Sequence, residues 1–502
     1  MDRELKITEY TIEIWDWKTS AYVADISHIV SNLQFSWTLN DIEELSFDLD
    51  LVQFEKRCSQ MGASPAQVLT PYVHDIRLRR NGKYIMGCQV VETNIQINND
   101  MPPKIQVRCT GFLNLFKDSY ESIPWSGYTY DQMARMLIQR AQQPDSVVKN
   151  PTIDIDASYW VSTTGAVARV TSGQRTGGGC LQATRSGTGW NTIGTRIFAR
   201  NGVSLSVDVW VKGQANVPIY FRERELLNKS IGQSNLGSVT PTANNTWVHF
   251  TTTFTTQYNK GYLIIEQNRT NASYNMGVDD CYVFYASDTA ALNNMNVSLG
   301  TDTTSGQSTR TMNYDLQNVK DAIMELTCME NDNFDFDFSP NRVFNTYNRR
   351  GSDKTDIEAV YPGNIHSMTI ERSAANMANK VYNLGSGIGD ERIEYLGLST
   401  PSRQTYGTRE AILVNSNVDR LDTLIAQAEG EIADRKDVTN LPKVVIRDGS
   451  INPGNVEIGD SIIVKVEGDS YLGTINGLYR IIQYNVTVDE NMVEQVTLTL
   501  EE

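Results

Sequence analysis

Residues 33–51 read Leu-Gln-Phe-Ser-Trp-Thr-Leu-Asn-Asp-Ile-Glu-Glu-Leu-Ser-Phe-Asp-Leu-Asp-Leu, and this stretch decides the fold class. Apolar and polar residues alternate from Leu33 to Leu39 and again from Leu45 to Leu51, with Asn40 and Asp41 between the two runs. A two-residue period places the apolar side chains on one face of a strand, and Asn-Asp favours a turn. The stretch therefore predicts an antiparallel hairpin with one buried face.

The same kind of segment recurs towards both ends of the chain. Further runs typical of strands lie at residues 10–15, 75–79, 89–97, 105–110, 334–338, 461–466 and 493–500. Many short strands separated by short turns indicate antiparallel barrels or sandwiches. We therefore predict one β-barrel domain over residues 1–120 and a second over residues 351–502.

Three stretches have a helical period instead. Between residues 130 and 141 the apolar side chains recur every three or four residues, as on one face of a helix. A second helix is predicted over about Leu316–Leu326, and a longer one with a heptad-like pattern from about Val418 to Arg435. We assign the first two to a helical connector formed by residues 121–150 plus 286–350, and the long helix to the second barrel domain.

The central segment, residues 151–285, differs from the rest in charge. It holds eight acidic and eleven basic residues, a formal charge of +3, whereas the whole chain of 502 residues carries −16. The remaining residues therefore carry −19. A composition shift that begins and ends within the chain indicates one domain inserted into another.

Within the central segment, strand-like alternation is strong and no helical period is present. Examples are Leu205–Lys212, Trp247–Phe254 and Gly261–Glu266. About 135 residues of short strands suit a β-sandwich of the jelly-roll type. The predicted fold class is therefore mainly β with a few helices: two β-barrel domains with helical connectors and an inserted β-sandwich domain.

Composition and motifs also exclude several functions. The acidic balance argues against general or sequence-specific nucleic-acid binding, which needs clustered Lys and Arg. The start, Met-Asp-Arg-Glu-Leu-Lys, has no apolar signal region, and no run approaches the length of a membrane helix. The four histidines are far apart, no nucleophile or phosphate-loop motif occurs, and no cysteines are spaced as a zinc site. We predict no enzyme activity and no membrane segment.

Four motifs, taken in chain order, carry a family resemblance. They are the hairpin of residues 33–51, Thr110-Gly-Phe-Leu-Asn-Leu-Phe116, Ala378–Gly385 followed by Gly387-Ile-Gly389-Asp390, and Ile451–Val464 with its Pro and Gly-Asp turn. In this order they resemble the tail-hub proteins of tailed bacteriophages, the baseplate-hub or tail-tip proteins that close the end of the tail tube. The resemblance covers most of residues 1–145 and 300–502.

That resemblance implies a structural role. Two related hub barrels per subunit in a homotrimer would form a ring-shaped hub that joins the tail tube to the tip and lines the DNA exit path. The expected partners are further copies of this chain, the distal tail or tube proteins, and the tape measure protein. The expected location is the virion, at the tail tip, after assembly in the host cytoplasm. An acidic ring would repel the phosphates of the passing DNA rather than bind them.

The central segment carries a second resemblance. The strands Val207–Gly213 and Thr246–Phe250 and the closing Val278–Asp280 resemble carbohydrate-binding modules of the jelly-roll type. That family implies aromatic rings stacked on sugar faces beside planar polar groups, and hence binding of a host cell-wall glycan. The candidate carbohydrate-binding residues are Trp190, Trp210, Tyr220, Arg222, Gln267 and Tyr274. Trp190, flanked by Gly189 and Asn191, is the one whose context most favours exposure.

The same resemblance implies a structural calcium ion, although no cofactor is required for the predicted role. Asp279 matches the aspartate that often helps to hold this ion in such modules. Further oxygen ligands would come from Asp154, Asp156 or the carbonyl groups near Gly177–Gly179. A paired Asp at the start of a strand also fits a simple turn, so both interpretations of Asp279 stay open.

Two other functions remain as alternatives. One is a hexameric distal-tail adaptor that carries a similar carbohydrate-binding insert. The other is a modular glycosidase in which Glu223 and Glu225 would form the carboxylate pair on one strand face. The sequence names neither the glycan nor the host, and it leaves open whether the central segment binds sugar or protein.

Overall fold

The computed structural model describes twelve stretches of the chain. These are residues 8–97, 102–143, 146–153, 156–176, 178–227, 232–288, 295–329, 332–416, 418–447, 449–467, 474–489 and 493–501. They divide into two compact units: unit 1 falls within Met1–Ile138 and Met295–Glu502, and unit 2 within Gln139–Asn294. Strands dominate both, so the mainly-β fold class is confirmed.

The first part of the chain contains eight strands and three α-helices among its described residues. The strands are β1 (Tyr10–Asp16), β2 (Ala21–Asp25), β3 (Val30–Thr38), β4 (Glu44–Asp50), β5 (His74–Arg80), β6 (Lys83–Gln96), β7 (Lys104–Gly111) and β8 (Tyr120–Tyr128). The helices are α1 (Leu51–Gln60), α2 (Pro65–Val68) and α3 (Tyr130–Ala141). The range of α3 agrees with the helical period in the sequence.

The predicted hairpin is β3 and β4, which pair antiparallel with Phe35 opposite Leu45. Leu33 and Phe47 are also buried, as the alternation requires. The second strand ends one residue earlier than predicted, because Asp50 ends it and caps α1: its carboxylate accepts a hydrogen bond of 2.9 Å from the backbone N–H of Gln53.

The later part of unit 1 is also built mainly of strands. Its strands are β19 (Ser298–Asp302), β20 (Arg310–Asn318), β21 (Asp335–Ser339), β22 (Val343–Tyr347), β23 (Asp353–Tyr361), β24 (Ile365–Ser373), β25 (Lys380–Leu384), β26 (Glu394–Leu398), β27 (Glu410–Val414), β28 (Thr439–Ile446), β29 (Ser461–Glu467), β30 (Thr474–Val488) and β31 (Glu494–Glu501). Its helices are α4 (Val319–Thr327), α5 (Thr400–Tyr406) and α6 (Leu421–Arg435).

Two of the helices start later than the sequence pattern predicts. Leu316 belongs to β20, where its φ of 51° is incompatible with a helix, and α4 begins at Val319 after Asn318 caps it. Helix α6 begins at Leu421 rather than at Val418. Of the predicted heptad-like positions Ala428 and Ile432 are buried in it, whereas Leu421 is 50% exposed, and Leu424 is buried in addition.

The segments predicted as two barrels share one sheet. A thirteen-stranded sheet runs β2-β1-β5-β6-β7-β4-β3-β30-β31-β28-β24, and β29 pairs with both β23 and β30. The link between the segments is β3 with β30, where Leu33 lies opposite Val488. Both side chains belong to one core cluster, which contains buried residues from each segment.

A smaller sheet of unit 1 packs on α6. Its order is β26-β25-β27, with β26 antiparallel and β27 parallel to β25. Val381 on one face is buried against Ala428 and Ile432. The opposite face carries exposed side chains, among them Ile412 and Val414.

Unit 2 is a β-sandwich. Its strands are β9 (Trp160–Val161), β10 (Ala166–Val170), β11 (Cys180–Thr184), β12 (Gly189–Arg196), β13 (Ser204–Lys212), β14 (Ile219–Arg224), β15 (Gln233–Val239), β16 (Val248–Thr255), β17 (Tyr262–Arg269) and β18 (Met276–Tyr285). Sheet I has the order β10-β11-β18-β13-β16 and sheet II the order β15-β14-β17-β12-β9. The core between them includes Val207, Val209, Phe221 and Ile265.

Two further observations concern the whole described part of the chain. Among these residues, no helix is both long enough and apolar enough to cross a membrane. The six cysteines are free thiols, buried except for Cys328, and this includes Cys180 and Cys281 in unit 2.

Candidate functional site

The outer face of sheet II holds an unusual set of side chains. Strand β14 alternates, so that Ile219 and Phe221 enter the core while Tyr220, Arg222 and Arg224 lie on the outer face. The neighbouring strands add Trp190 from β12 and Glu266 from β17 to the same face. We call Trp190, Tyr220, Arg222, Arg224 and Glu266 the aromatic–arginine face.

The two aromatic rings of this face lie close together. The ring centroids of Trp190 and Tyr220 are 6.0 Å apart, and the ring planes are inclined by 52°. The Arg222 guanidinium lies 5.8 Å from the Trp190 ring centroid and 5.3 Å from that of Tyr220. Trp190 is 38% exposed, as its glycine-flanked context predicts, so its ring is open to a ligand.

Beside the rings, two arginines hold one carboxylate. Arg222 Nη1 lies 2.7 Å from Glu266 Oε1, and Arg224 Nη2 lies 2.8 Å from Glu266 Oε2. Gln233 Oε1 accepts a further hydrogen bond of 3.1 Å from Arg224 Nε. Each carboxylate oxygen therefore has a guanidinium partner, which fixes both arginine side chains in place.

This arrangement suits the binding of a carbohydrate. Aromatic rings bind the C–H faces of sugars by apolar contact, and fixed planar polar groups beside them orient a ligand by hydrogen bonds. Because the arginines are held by Glu266 and Gln233, little side-chain entropy would be lost on binding.

Trp210, another candidate from the sequence, lies on the outside of sheet I. Its ring stacks on His249 with centroids 4.5 Å apart and planes inclined by 14°, and the Arg175 guanidinium lies 3.9 Å from its centroid. Two groups this close to one ring must cover its two faces. Trp210 therefore has no open face for a sugar, and it does not join Trp190 and Tyr220.

Gln267 and Tyr274 also lie apart from the aromatic–arginine face. Gln267 is fully buried, and its amide donates to the carbonyls of Gln214 and Val217 and accepts from the backbone N–H of Gln214. Tyr274 is half-buried in the loop after β17, and its carbonyl accepts a 2.6 Å hydrogen bond from Arg269. Gln267 thus orders the loop before β14 rather than facing a ligand.

Sequence reasoning missed Arg224, Glu266 and Gln233. The signal for Arg224 was present, because Tyr220, Arg222 and Arg224 follow the two-residue period of one strand face. No such signal marks Glu266, since only the pairing of β17 with β14 places it opposite Tyr220.

The two described members of the predicted calcium set are engaged by N–H donors. Asp279 accepts backbone hydrogen bonds of 2.8 Å from Arg175 and 2.9 Å from Asp280, and burial raises its pKa to about 6. Asp156 accepts from the backbone of Ser158 at 2.8 Å and lies 3.3 Å from Arg140 Nη1. Asp154 lies outside the described residues. Both carboxylates therefore accept hydrogen bonds where a calcium ion would need their oxygens, and the described residues hold no group of three or more His, Cys, Asp or Glu side chains that could hold a metal ion. The calcium site stays a prediction.

The carboxylate pair of the glycosidase alternative is not assembled as an open site. Glu223 is fully buried in the sandwich, where it accepts hydrogen bonds from the backbone N–H groups of Gln257 and Tyr258. Burial raises the pKa of Glu223. Glu225 follows the end of β14 and is exposed, so the two carboxylates do not share one strand face.

Comparisons with known proteins give similar structures only. No protein-family model matches the chain, and no curated protein matches it. The tail protein from Neisseria meningitidis MC58 is 10% identical at a TM-score of 0.46, with 98% of this chain and 96% of that chain covered. Prophage tail protein gp18 from Listeria monocytogenes EGD-e is 10% identical at a TM-score of 0.43, with 97% and 94% covered.

A smaller part of the chain is similar to a separate class of structure. The CBM22-1 xylan-binding domain from Paenibacillus barcinonensis Xyn10C is 16% identical at a TM-score of 0.24, with 29% of this chain and 96% of that chain covered. Identities and TM-scores this low assign no function to the chain.

Proposed function

We propose that this chain is a structural protein of a bacteriophage tail tip and that unit 2 binds a host-surface glycan through the aromatic–arginine face. The observation that carries the glycan proposal is the pairing of Trp190 and Tyr220 around the Arg222 guanidinium on an open sheet face.

The physical basis is the match between this face and a sugar ring. A sugar presents an apolar C–H face and a rim of polar groups, and the aromatic–arginine face offers an apolar platform beside fixed guanidinium donors. Glu223 is buried, and the Trp210 ring is covered by His249 and Arg175. The aromatic–arginine face is therefore the best supported site in the described part of unit 2. Binding without hydrolysis is therefore the proposed role.

Assembly is the proposed role of unit 1. The open side of the β26-β25-β27 sheet carries an apolar face, defined by Tyr382, Leu384, Leu396, Leu398, Ile412 and Val414, with the charged side chains of Lys380, Glu394 and Glu410 at its edges. Ile412 and Val414 are 65% and 64% exposed, and contiguous exposed apolar side chains are typical of a protein–protein contact. In the proposal, a neighbouring copy of this chain covers this face in a homotrimeric ring.

Such a ring would act as the hub of the tail. It would join the distal tail or tube proteins to the tip, contact the tape measure protein, and surround the DNA exit path in the virion. The charge of −19 outside the central segment supports a conduit, because an acidic lining repels DNA phosphates. Three glycan sites on one ring would raise avidity by roughly 10²–10⁴ where geometry allows joint contact.

A binding experiment tests the glycan role. The full chain, its Trp190→Ala variant and its Trp210→Ala variant are applied to an array of bacterial surface polysaccharides. We expect Trp190→Ala to weaken binding at least tenfold and Trp210→Ala to leave it unchanged, because the Trp210 ring is covered on both sides. Equal loss in both variants, or no binding by the full chain, would contradict the proposal.

Subunit counting tests the assembly role. Native mass spectrometry or mass photometry of the full chain separates the proposed trimer from the hexamer of a distal-tail adaptor. A stable monomer at micromolar concentration would contradict both.

A further inference from the structure

The one carboxylate of the aromatic–arginine face is paired, so its charged groups offer a ligand hydrogen-bond donors only. We propose that its ligand is an acidic glycan, one that carries a carboxylate or a phosphate, and that Arg222 binds this group. This inference rests on the proposed glycan function and narrows it to a ligand class.

The carboxylate of the face is not free to accept. Among the described residues of the five strands of sheet II, Glu266 is the one carboxylate on the outer face, and it is buried. Its two oxygens are paired with Arg222 and Arg224 at 2.7 and 2.8 Å. Because Glu266 is also buried, little of its carboxylate is left for a sugar hydroxyl that needs an acceptor.

The hydrogen-bond donors beside Glu266, in contrast, outnumber their acceptors among the described residues. Arg222 contacts Glu266 and Gln233 through Nη1, and its Nε and Nη2 have no partner among the described residues. Within the described part of the chain, Arg224 uses Nε and Nη2, which leaves Nη1. Gln233 accepts through Oε1, so its two amide hydrogens are left over.

Acceptors such as carboxylate and phosphate complement a donor surface of this kind. An ionised oxyanion only accepts hydrogen bonds, and arginine binds it in a planar, bidentate geometry. Neutral sugar hydroxyls both donate and accept, so neutral sugars would leave several of these donors unpaired or bound to water.

The net charge of this face is positive, as binding of an acidic ligand requires. Arg196, Arg222 and Arg224 stand on the outer side of β12 and β14 against the single carboxylate of Glu266, and Glu225 lies beyond the end of β14. The central segment as a whole carries +3 in a chain of −16. Positive charge is therefore concentrated where the proposed ligand binds, which would also speed its association at low salt.

The test compares acidic and neutral polymers on one array. The acidic probes are polygalacturonate and alginate, which carry carboxylates, and poly(glycerol phosphate), which carries phosphates. The neutral probes are methyl-esterified polygalacturonate, xylan and mannan. The proteins are the full chain, Trp190→Ala, Arg222→Gln, and the matched control Arg200→Gln, which removes the same charge from an exposed position outside the strands.

We expect the full chain to bind at least one acidic polymer tenfold or more tightly than any neutral polymer. Binding to a polyuronate would identify a carboxylate as the bound group, and binding to poly(glycerol phosphate) would identify a phosphate. Arg222→Gln should remove this preference, while Arg200→Gln should keep it within about twofold. Circular dichroism and thermal unfolding of each variant establish that the fold is retained.

The other outcomes separate the two proposals. Tightest binding to a neutral polymer, reduced by Trp190→Ala, would overturn the acidic ligand and support the glycan function. Equal losses in Arg222→Gln and Arg200→Gln would show general charge attraction and also overturn it. Binding to no polymer would defeat the glycan function itself.

Discussion

The Arg224 guanidinium lies 2.8 Å from the Glu266 carboxylate, and both side chains are buried although they stand on the outer face of a sheet. Burying two charges costs hydration free energy, and this cost is offset only where each charge keeps its partners. Glu266 keeps two, since Arg222 binds its other oxygen. The cluster is therefore more sensitive to the loss of one member than a surface ion pair would be.

Replacing Glu266 with Gln is expected to destabilise unit 2 by about 2–4 kcal/mol, because it leaves Arg224 buried without a counter-charge. It also places an amide donor beside guanidinium donors, so both arginines lose their fixed positions. Chemical unfolding followed by tryptophan fluorescence measures the change.

The control for Glu266→Gln is Asp208→Asn. Asp208 contacts His249 at 2.7 Å, but both side chains are 41% exposed, and exposed pairs contribute at most about 1 kcal/mol. Equal destabilisation by the two variants would contradict the buried-cluster argument.

Part of the aromatic–arginine face could be predicted from local sequence. The two-residue period of β14 puts Tyr220 and Arg222 on one side, and the glycines around Trp190 indicate an exposed loop-like context. Which side of each strand faces water is decided by pairing. Trp210 and Gln267 have sequence contexts like those of ligand-binding residues, yet one is stacked between two side chains and the other is bonded inside the sandwich.

Long-range pairing also limits what the sequence predicts about unit 1. The alternation in residues 33–39 predicts a strand with one buried face, and the structure agrees. It does not predict that Leu33 lies opposite Val488, because no local pattern joins residues so far apart in the chain. Strand ends are sensitive to single side chains, as the Asp50 cap shows.

The buried carboxyl of Glu43 predicts a pH dependence of stability. Glu43 is buried, its Oε2 has no hydrogen-bond partner among the described residues, and burial raises its pKa from the ordinary 4.5 to about 8. Since the folded-state pKa lies above the unfolded-state value, its contribution to stability is complete below pH 4.5 and is lost as the pH rises through 8. The free energy of unfolding should fall by up to about 1.4 kcal/mol per pH unit in that window.

Glu43→Gln isolates this effect. The variant cannot ionise, so the difference in unfolding free energy between it and the parent chain should change steadily from pH 5 to pH 8. Glu44→Gln is the neighbouring control, because Glu44 is 58% exposed and paired with Arg108 at 3.2 Å. Parallel pH profiles for Glu43→Gln and the parent would show that Glu43 does not titrate in this range.

The apolar face of the small sheet predicts a variant that separates assembly from folding. Ile412→Asp places a charge at a position that is 65% exposed, so the isolated subunit should fold normally. In the proposed ring the same charge is buried against a neighbouring copy, which costs several kcal/mol. Mass photometry should show trimers for the parent chain and monomers for the variant.

Val52→Asp is the matched control for assembly. Val52 is 59% exposed on α1, outside the apolar face, and its replacement should leave the trimer intact. An unchanged subunit count for Ile412→Asp would mean that this face is not the contact between copies.

Calcium and EDTA test the two interpretations of Asp279. Its oxygens already accept hydrogen bonds from the backbone of Arg175 and Asp280, and a cation would have to displace these donors. We expect the Tm of unit 2 to be the same in calcium and in EDTA. A clear rise in Tm with calcium, absent from Asp279→Asn, would establish the ion site that the carbohydrate-module resemblance implies.

Arg269 predicts how the loops beside Trp190 are held. It is buried, and it donates to the carbonyls of Arg185 and Gly187 at 3.2 Å on one loop and of Tyr274 at 2.6 Å on another. Arg269→Lys keeps the charge but loses the planar fork that reaches both loops at once. We expect amide hydrogen exchange at residues 185–189 and 270–275 to become at least tenfold faster, a change of about 1.4 kcal/mol in local opening.

Arg269→Lys also tests whether Arg269 positions Trp190 for the glycan or only stabilises the two loops. Arg185 donates to the carbonyl of Trp190, so loosening its loop should also loosen the ring that binds the glycan. Arg269→Lys should therefore weaken glycan binding while the global unfolding midpoint falls only slightly. Arg200→Lys, a change at an exposed position outside the strands, should alter neither measurement. Faster exchange with unchanged glycan affinity would mean that the two loops do not position Trp190.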